Sequence, residues 1–95
     1  MFIVLLKFSG NRERMGEFME AHKSWLKQGL DDGVFLLAGS LQPARGGGIL
    51  AHNISREDLE TFVDSDPFVT EHIVTAEILE ISPSKTDERL AFLLD

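Results

Sequence analysis

Chemistry has few places to reside in this chain, which contains no cysteine and only three histidines. Thiol catalysis, disulfides and thiolate zinc sites are excluded on that ground. A carboxylate and an imidazole are the groups best placed to act. Asp66 stands in Asp64-Ser65-Asp66-Pro67-Phe68, where the following proline disfavours the α region and keeps the aspartate extended or in a turn. Phe68 can then plug the interior and fix where the carboxylate points. His22 lies far upstream, four residues after Phe18 and three before Trp25. An aspartate that accepts a hydrogen bond from one imidazole nitrogen fixes the tautomer and leaves the other nitrogen free as acid or base. His22 and Asp66 are therefore the candidate catalytic pair. Plainer roles exist for both: a histidine on an apolar stripe is more often a satisfied core residue, and Asp before Pro commonly caps a turn.

Other polar residues offer less. Ser40 follows Gly39 where a strand runs out, and the Gly-x-Ser-x-Gly elbow is missing, so binding a substrate oxygen suits it better than attack. A hydroxyl that satisfies its own turn is an equally good account of Ser40. His72 follows Asp66-Pro67-Phe68 by one helical turn and could line the same cavity or face water. No two histidines stand at i, i+3 or i, i+4 on a helix, and there is no His-x-His, so no metal site is expected. Gly46-Gly47-Gly48 precedes no helix and no Lys-Ser/Thr follows it. The P-loop reading fails, and a flexible hairpin is the better account.

The totals bound the partners. A net charge of -7 argues against a nucleic-acid backbone or an anionic membrane surface, and the basic residues are scattered. Met1 to Leu6 is apolar but too short, and too poor in basic flank, for a signal sequence. No run approaches the ~18 apolar residues of a membrane span. The cytoplasm is the expected compartment. With 95 residues, 43% apolar and 26% charged, one soluble domain with a single core is expected.

These candidates need elements to position them. Residues 2–8 are apolar on both faces except at Lys7, as in a central strand covered on both sides. Asn11 can cap a helix from about Arg12 to Leu30, with Met15, Phe18, Met19, His22, Trp25, Leu26 and Leu30 on one stripe and Lys23 among the charges opposite. Val34 to Leu41 reads as a second strand, Pro43 to Gly48 as a hairpin connection, and Ile49 to Ile54 as a third strand. Ser55 and Asp58 mark the start of a short helix that buries Leu59, Phe62 and Val63. Val74 to Ile81 reads as the fourth strand, and Thr86 to Leu94 as a short C-terminal helix.

The order β-α-β-β-α-β matches an α+β, ferredoxin-like sandwich with both helices on one sheet face. Strands apolar on both faces require the other sheet face to be covered too. In so short a chain a second copy is the natural cover, which predicts a homodimer with sheets face to face.

In order and spacing these residues resemble the YciI-related (YCII domain) family, small ferredoxin-like proteins of the dimeric α/β-barrel group. The likeness rests on Phe2-Ile3-Val4-Leu5-Leu6, the helical His22, Ala38-Gly39-Ser40-Leu41 with Gly46-Gly47-Gly48 after it, and Asp66-Pro67-Phe68. It implies a single YCII-like domain over 1–95, with a core to about residue 82 and an extension from 83 to 95. It also implies that His22 and Asp66 form a catalytic dyad and that Ser40 stands at the serine after the Ala-Gly turn. Met19 departs from the family, which often has Arg there, and Ser40 from a frequent Pro. The resemblance further implies a lyase or isomerase acting on a small cyclic compound, as in dehydrochlorination or lactone isomerisation, without covalent intermediate or cofactor. A non-catalytic small-ligand-binding module and a fold-stabilising His–Asp pair fit the same residues, and the sequence does not separate the three.

Overall fold

A computed structural model describes residues 1–94; Asp95, the last residue of the expected extension, lies outside the described residues. Strand β1 (Phe2–Phe8) is followed by a 3-10 turn (Arg12–Arg14) and the long helix α1 (Met15–Asp31). Strands β2 (Phe35–Leu41) and β3 (Gly46–Ala51) come next, then α2 (Arg56–Asp64), the one-turn helix α3 (Pro67–Thr70) and β4 (Val74–Glu80). A 3-10 segment, Glu88–Leu94, ends the described chain.

The four strands form one antiparallel sheet in the order β2-β3-β1-β4, so β1 is central, as its two apolar faces require. Phe2, Val4 and Leu6 of β1 are buried with Ile49 and Ala51 of β3 and Val74 of β4, beneath Trp25, Leu59, Val63 and Phe68 of the helices. This is the ferredoxin-like α+β arrangement, with the helices on one face of the sheet. Because cross-strand partners share a face, Ile3, Leu5, Leu37, Leu50 and Leu79 point to the other side. There Leu37 and Leu79 are 52% and 42% exposed.

Local differences from the expected elements have identifiable causes. The third strand begins at Gly46, three residues before Ile49, because Gly46, Gly47 and Gly48 pair with Lys7, Leu6 and Leu5 of β1 and with Leu41, Ser40 and Gly39 of β2. The glycines are thus strand, not hairpin. Gly46 has φ +131, and a Cβ there would stand 1.9 Å from the Leu6 carbonyl oxygen, a close approach that only glycine permits. The strand ends at Ala51, and Asn53, at φ +57, turns the chain away before Ile54.

Asn11 caps no helix; its Nδ2 donates to the Glu71 carbonyl at 3.0 Å and ties the turn after β1 to the turn before β4. The regular helix accordingly starts at Met15, with the 3-10 turn ahead of it. Leu30 is 44% exposed, off the buried stripe, and Gly29 takes the inward place, where a Cβ would stand 2.3 Å from the Phe35 ring. Ser55 caps α2 as expected, its Oγ accepting the Asp58 N–H at 3.1 Å. The C-terminal segment is 3-10 and not α-helical, with Leu90, Phe92 and Leu94 exposed.

Candidate active site

The carboxylate is positioned by the peptide that follows it. Pro67 holds Asp66 extended, at φ -61 and ψ 126, and itself occupies the first turn of α3. From that position Asp66 caps α3, its Oδ1 accepting the Phe68 N–H at 3.0 Å and its carbonyl accepting the N–H groups of Val69 and Thr70. The same Oδ1 lies 2.7 Å from Nδ1 of His22. Asp66 is therefore both a cap and a histidine partner. Its side chain is 0% exposed, and Oδ2 has no hydrogen-bond partner among the described residues. A carboxylate so far from water relies on the contacts that Oδ1 makes.

His22 is held on three sides. α1 carries it to the sheet, Asp66 takes Nδ1, and the Phe68 ring lies parallel to it with centroids 4.0 Å apart and planes 4° apart. Trp25 stacks more loosely, at 5.8 Å, and is itself fixed by donating Nε1–H to the Phe62 carbonyl at 3.0 Å. With Nδ1–H donated to Asp66, the nitrogen left for a ligand is Nε2, on a side chain that keeps 12% of its exposure.

His22 lines a cavity of about 420 Å³ between α1 and the sheet, beside the β2–β3 turn. That is the size of a small-molecule site. Met15, Met19 and Leu26 share its helical wall with His22, and Phe8 and Phe68 add aromatic surface. The sheet contributes the Leu6, Ile49 and Val74 side chains and, beside them, a stretch with little side chain, Ala38, Gly39 and Gly46 to Gly48. Ser40 is brought to this wall and is solvent-exposed there.

His72 is not brought in. It is exposed, at φ +58, and does not line the cavity, which corrects the expectation that it shares the site. Its backbone turns the chain into β4, where its carbonyl accepts hydrogen bonds from Ser9 Oγ and the Asn11 N–H.

Several lining residues have roles that sequence reasoning missed. Met15, Met19 and Leu26 read as core, and the glycine run read as a loop. Arg12 and Lys23 carry no signal in periodicity, since both fall outside the apolar stripe, yet both line the cavity. Away from the cavity, the hydrogen bond to Asp31 raises the pKa of exposed Lys27, and Arg89 lowers that of exposed Asp87. Among the described residues no three His, Cys, Asp or Glu side chains cluster as metal ligands, and no helix is long and apolar enough to cross a membrane.

The YCII-related domain family matches residues 1–83. Among solved structures, the chain is similar to a 5-chloro-2-hydroxyhydroquinone dehydrochlorinase from Burkholderia phenoliruptrix AC1100, determined in complex with 2,5-dihydroxybenzoquinone. The match has a TM-score of 0.68 and 14% identity, and covers 85% of this chain and 93% of that one. At this identity the likeness is one of fold. The sequence has no match among curated proteins.

Proposed function

We propose, from the premise that this chain belongs to the YCII-related domain family, that it is a small-molecule enzyme of the lyase or isomerase type with His22 as its proton carrier. The observation that supports this best is the 2.7 Å contact between His22 Nδ1 and a fully buried Asp66 at the wall of an apolar cavity. Asp66 accepts Nδ1–H, so Nε2 presents a lone pair to the ligand. Nε2 takes a proton from a carbon made acidic by a neighbouring carbonyl, and Asp66 offsets the charge that the ring acquires. The electron pair left on carbon either forms a double bond as a leaving group departs, or shifts along the ring. In the second case Nε2 returns the proton at a new position. Neither course forms a covalent bond to the protein or changes the substrate's oxidation level, so neither calls on a cofactor. Ser40, on the opposite wall, donates its hydroxyl to a substrate oxygen.

The fold relative that processes a chlorinated hydroxyhydroquinone supports a small cyclic substrate here. We also propose that two copies associate through the sheet face opposite the helices, where Leu37 and Leu79 are exposed.

The test is proton exchange and elimination in D₂O. The protein is incubated with 5-chloro-2-hydroxyhydroquinone and with small enolisable cyclic ketones and lactones, following chloride release and deuterium incorporation by NMR. Turnover of at least one probe is expected, and His22→Ala should reduce it about 10²- to 10⁴-fold. Binding of a probe without exchange or elimination in either protein would leave a binding module and end the enzyme reading.

A further inference from the structure

We infer that the cavity takes a small planar organic anion, its carboxylate or enolate oxygens held by Arg12 and Lys23. This rests on the reading of the cavity as a substrate site and names the class of molecule it receives. The chain has 16 acidic and 9 basic residues, yet among the described residues the Lys, Arg, Asp and Glu side chains on the cavity wall are Arg12 and Lys23, both cationic. No carboxylate lines it among the described residues; Asp66 stands behind His22. The wall thus has the opposite sign to the molecule. A binding site that favoured cations, or was indifferent to charge, would draw on the acidic majority.

Neither cation is paired with a carboxylate among the described residues. Lys7, Arg14, Lys27, Arg56 and Arg89 each meet a carboxylate within the chain. Arg12 and Lys23 meet none among the described residues. Arg12 instead lies over the Phe8 ring, with its guanidinium carbon 4.1 Å from the centroid. The guanidinium makes no hydrogen bond among the described residues, so its N–H groups stay available to paired oxygens. Phe8 itself lines the cavity, so the stacking holds Arg12 against the site.

The remaining walls set the shape of the ligand. Phe68 lies flat on the His22 ring, and Met15, Met19 and the glycines of β3 line the same cavity. Aromatic and thioether surface beside backbone without side chains suits a flat ring better than a branched chain. The charges also suit the proposed step. Proton removal by His22 leaves negative charge on the substrate oxygen, and fixed cations favour that state over the neutral ketone.

Benzoate, benzamide and benzylammonium test this, being alike in shape and different in charge. Binding is followed by the ring resonances of His22 and by calorimetry in the native chain, Arg12→Gln, Lys23→Gln and Arg12→Lys. A charge-assisted contact predicts that benzoate binds about tenfold or more tightly than benzamide, with benzylammonium weakest. Arg12→Gln should remove most of that preference and Lys23→Gln part of it, while Arg12→Lys retains some. Both side chains are exposed and meet no carboxylate among the described residues, so circular dichroism should show the variants folded. Equal binding of benzoate and benzamide, an unchanged ratio in Arg12→Gln, or failure of benzoate to bind at millimolar concentration each overturns the inference. A benzoate preference without proton exchange would overturn only the proton-transfer reading. Exchange without the preference would overturn only the anion site.

Discussion

Oδ1 of Asp66 serves two donors at once, the Phe68 N–H and Nδ1–H of His22, while Oδ2 is buried without a partner among the described residues. The two oxygens therefore respond differently to substitution. Asp66→Asn can keep a carbonyl acceptor at Oδ1 and puts an amide where Oδ2 already lacks a partner, so the fold should lose no more than about 1–2 kcal/mol. The charge that steadies a protonated His22 is lost, and turnover should fall by about 10²-fold or more. Asp66→Ala removes the cap and orphans Nδ1–H, at a cost of about 1–3 kcal/mol. Urea midpoints and the exchange assay, measured on both variants, separate these effects. A fall in stability with unchanged turnover would mark the pair as structural. The meeting of His22 and Asp66 was legible because two strong local rules converged: proline fixed the carboxylate's backbone, and the 3.6-residue period turned the histidine inward. His72 obeys no such rule. Its spacing of one helical turn after Phe68 does not place it, because α3 stops at Thr70 and the chain enters a left-handed turn at His72.

At the level of elements, β3 is where sequence reading falls shortest. Strand recognition depends on side chains that alternate, and Gly46-Gly47-Gly48 has none to show. What holds these residues in the sheet is backbone pairing on both sides, which composition does not reveal. The same absence of side chains opens the cavity. Gly46 and Gly47 should therefore fail in opposite ways. Gly46→Ala drives a methyl into the Leu6 carbonyl and breaks the β1–β3 ladder, costing about 2–4 kcal/mol in urea denaturation. Gly47 pairs with Leu6 and shares its cavity-facing side, and a Cβ there meets only the Gly39 carbonyl oxygen, at 3.5 Å. Gly47→Val should leave stability within about 1 kcal/mol and weaken ligand binding by filling the slot. Equal destabilisation of the two variants would refute this account of the wall. The capping of α2 by Ser55 and the central place of β1 were readable because each rests on a contiguous pattern. The start of α1 was not, since Asn11 answers to Glu71, sixty positions away in sequence.

For the whole molecule, the two faces of the sheet have different fates. One is closed by α1, α2 and α3. The other carries Leu37, 52% exposed, with Leu79 at 42%, beside Ile3, Leu5 and Leu50. Lys7 and Glu77 stand on this same face and pair with each other at 3.3 Å, so its charges are matched within the chain. A contiguous apolar sheet face of this kind is the mark of an interaction surface. The sequence already implied it, because β1 is apolar at odd and even positions alike. The double substitution Leu37→Lys with Leu79→Lys should convert a dimer to a folded monomer in sedimentation equilibrium, with the proposed chemistry retained. A monomeric native chain at micromolar concentration would refute the proposed association.

The placement of the cavity on the helix side has a genetic consequence. His22, Asp66, Arg12 and Lys23 all belong to one chain and lie on the side of the sheet away from the bare face. Joining two copies through that face supplies neither site with a residue. A cell making intact chain alongside chain damaged at His22 would keep its intact sites working, even inside mixed pairs. On the proposed function and association, damage to His22 or Asp66 should behave as recessive, and damage to the apolar sheet face is what can spread from one copy to the other.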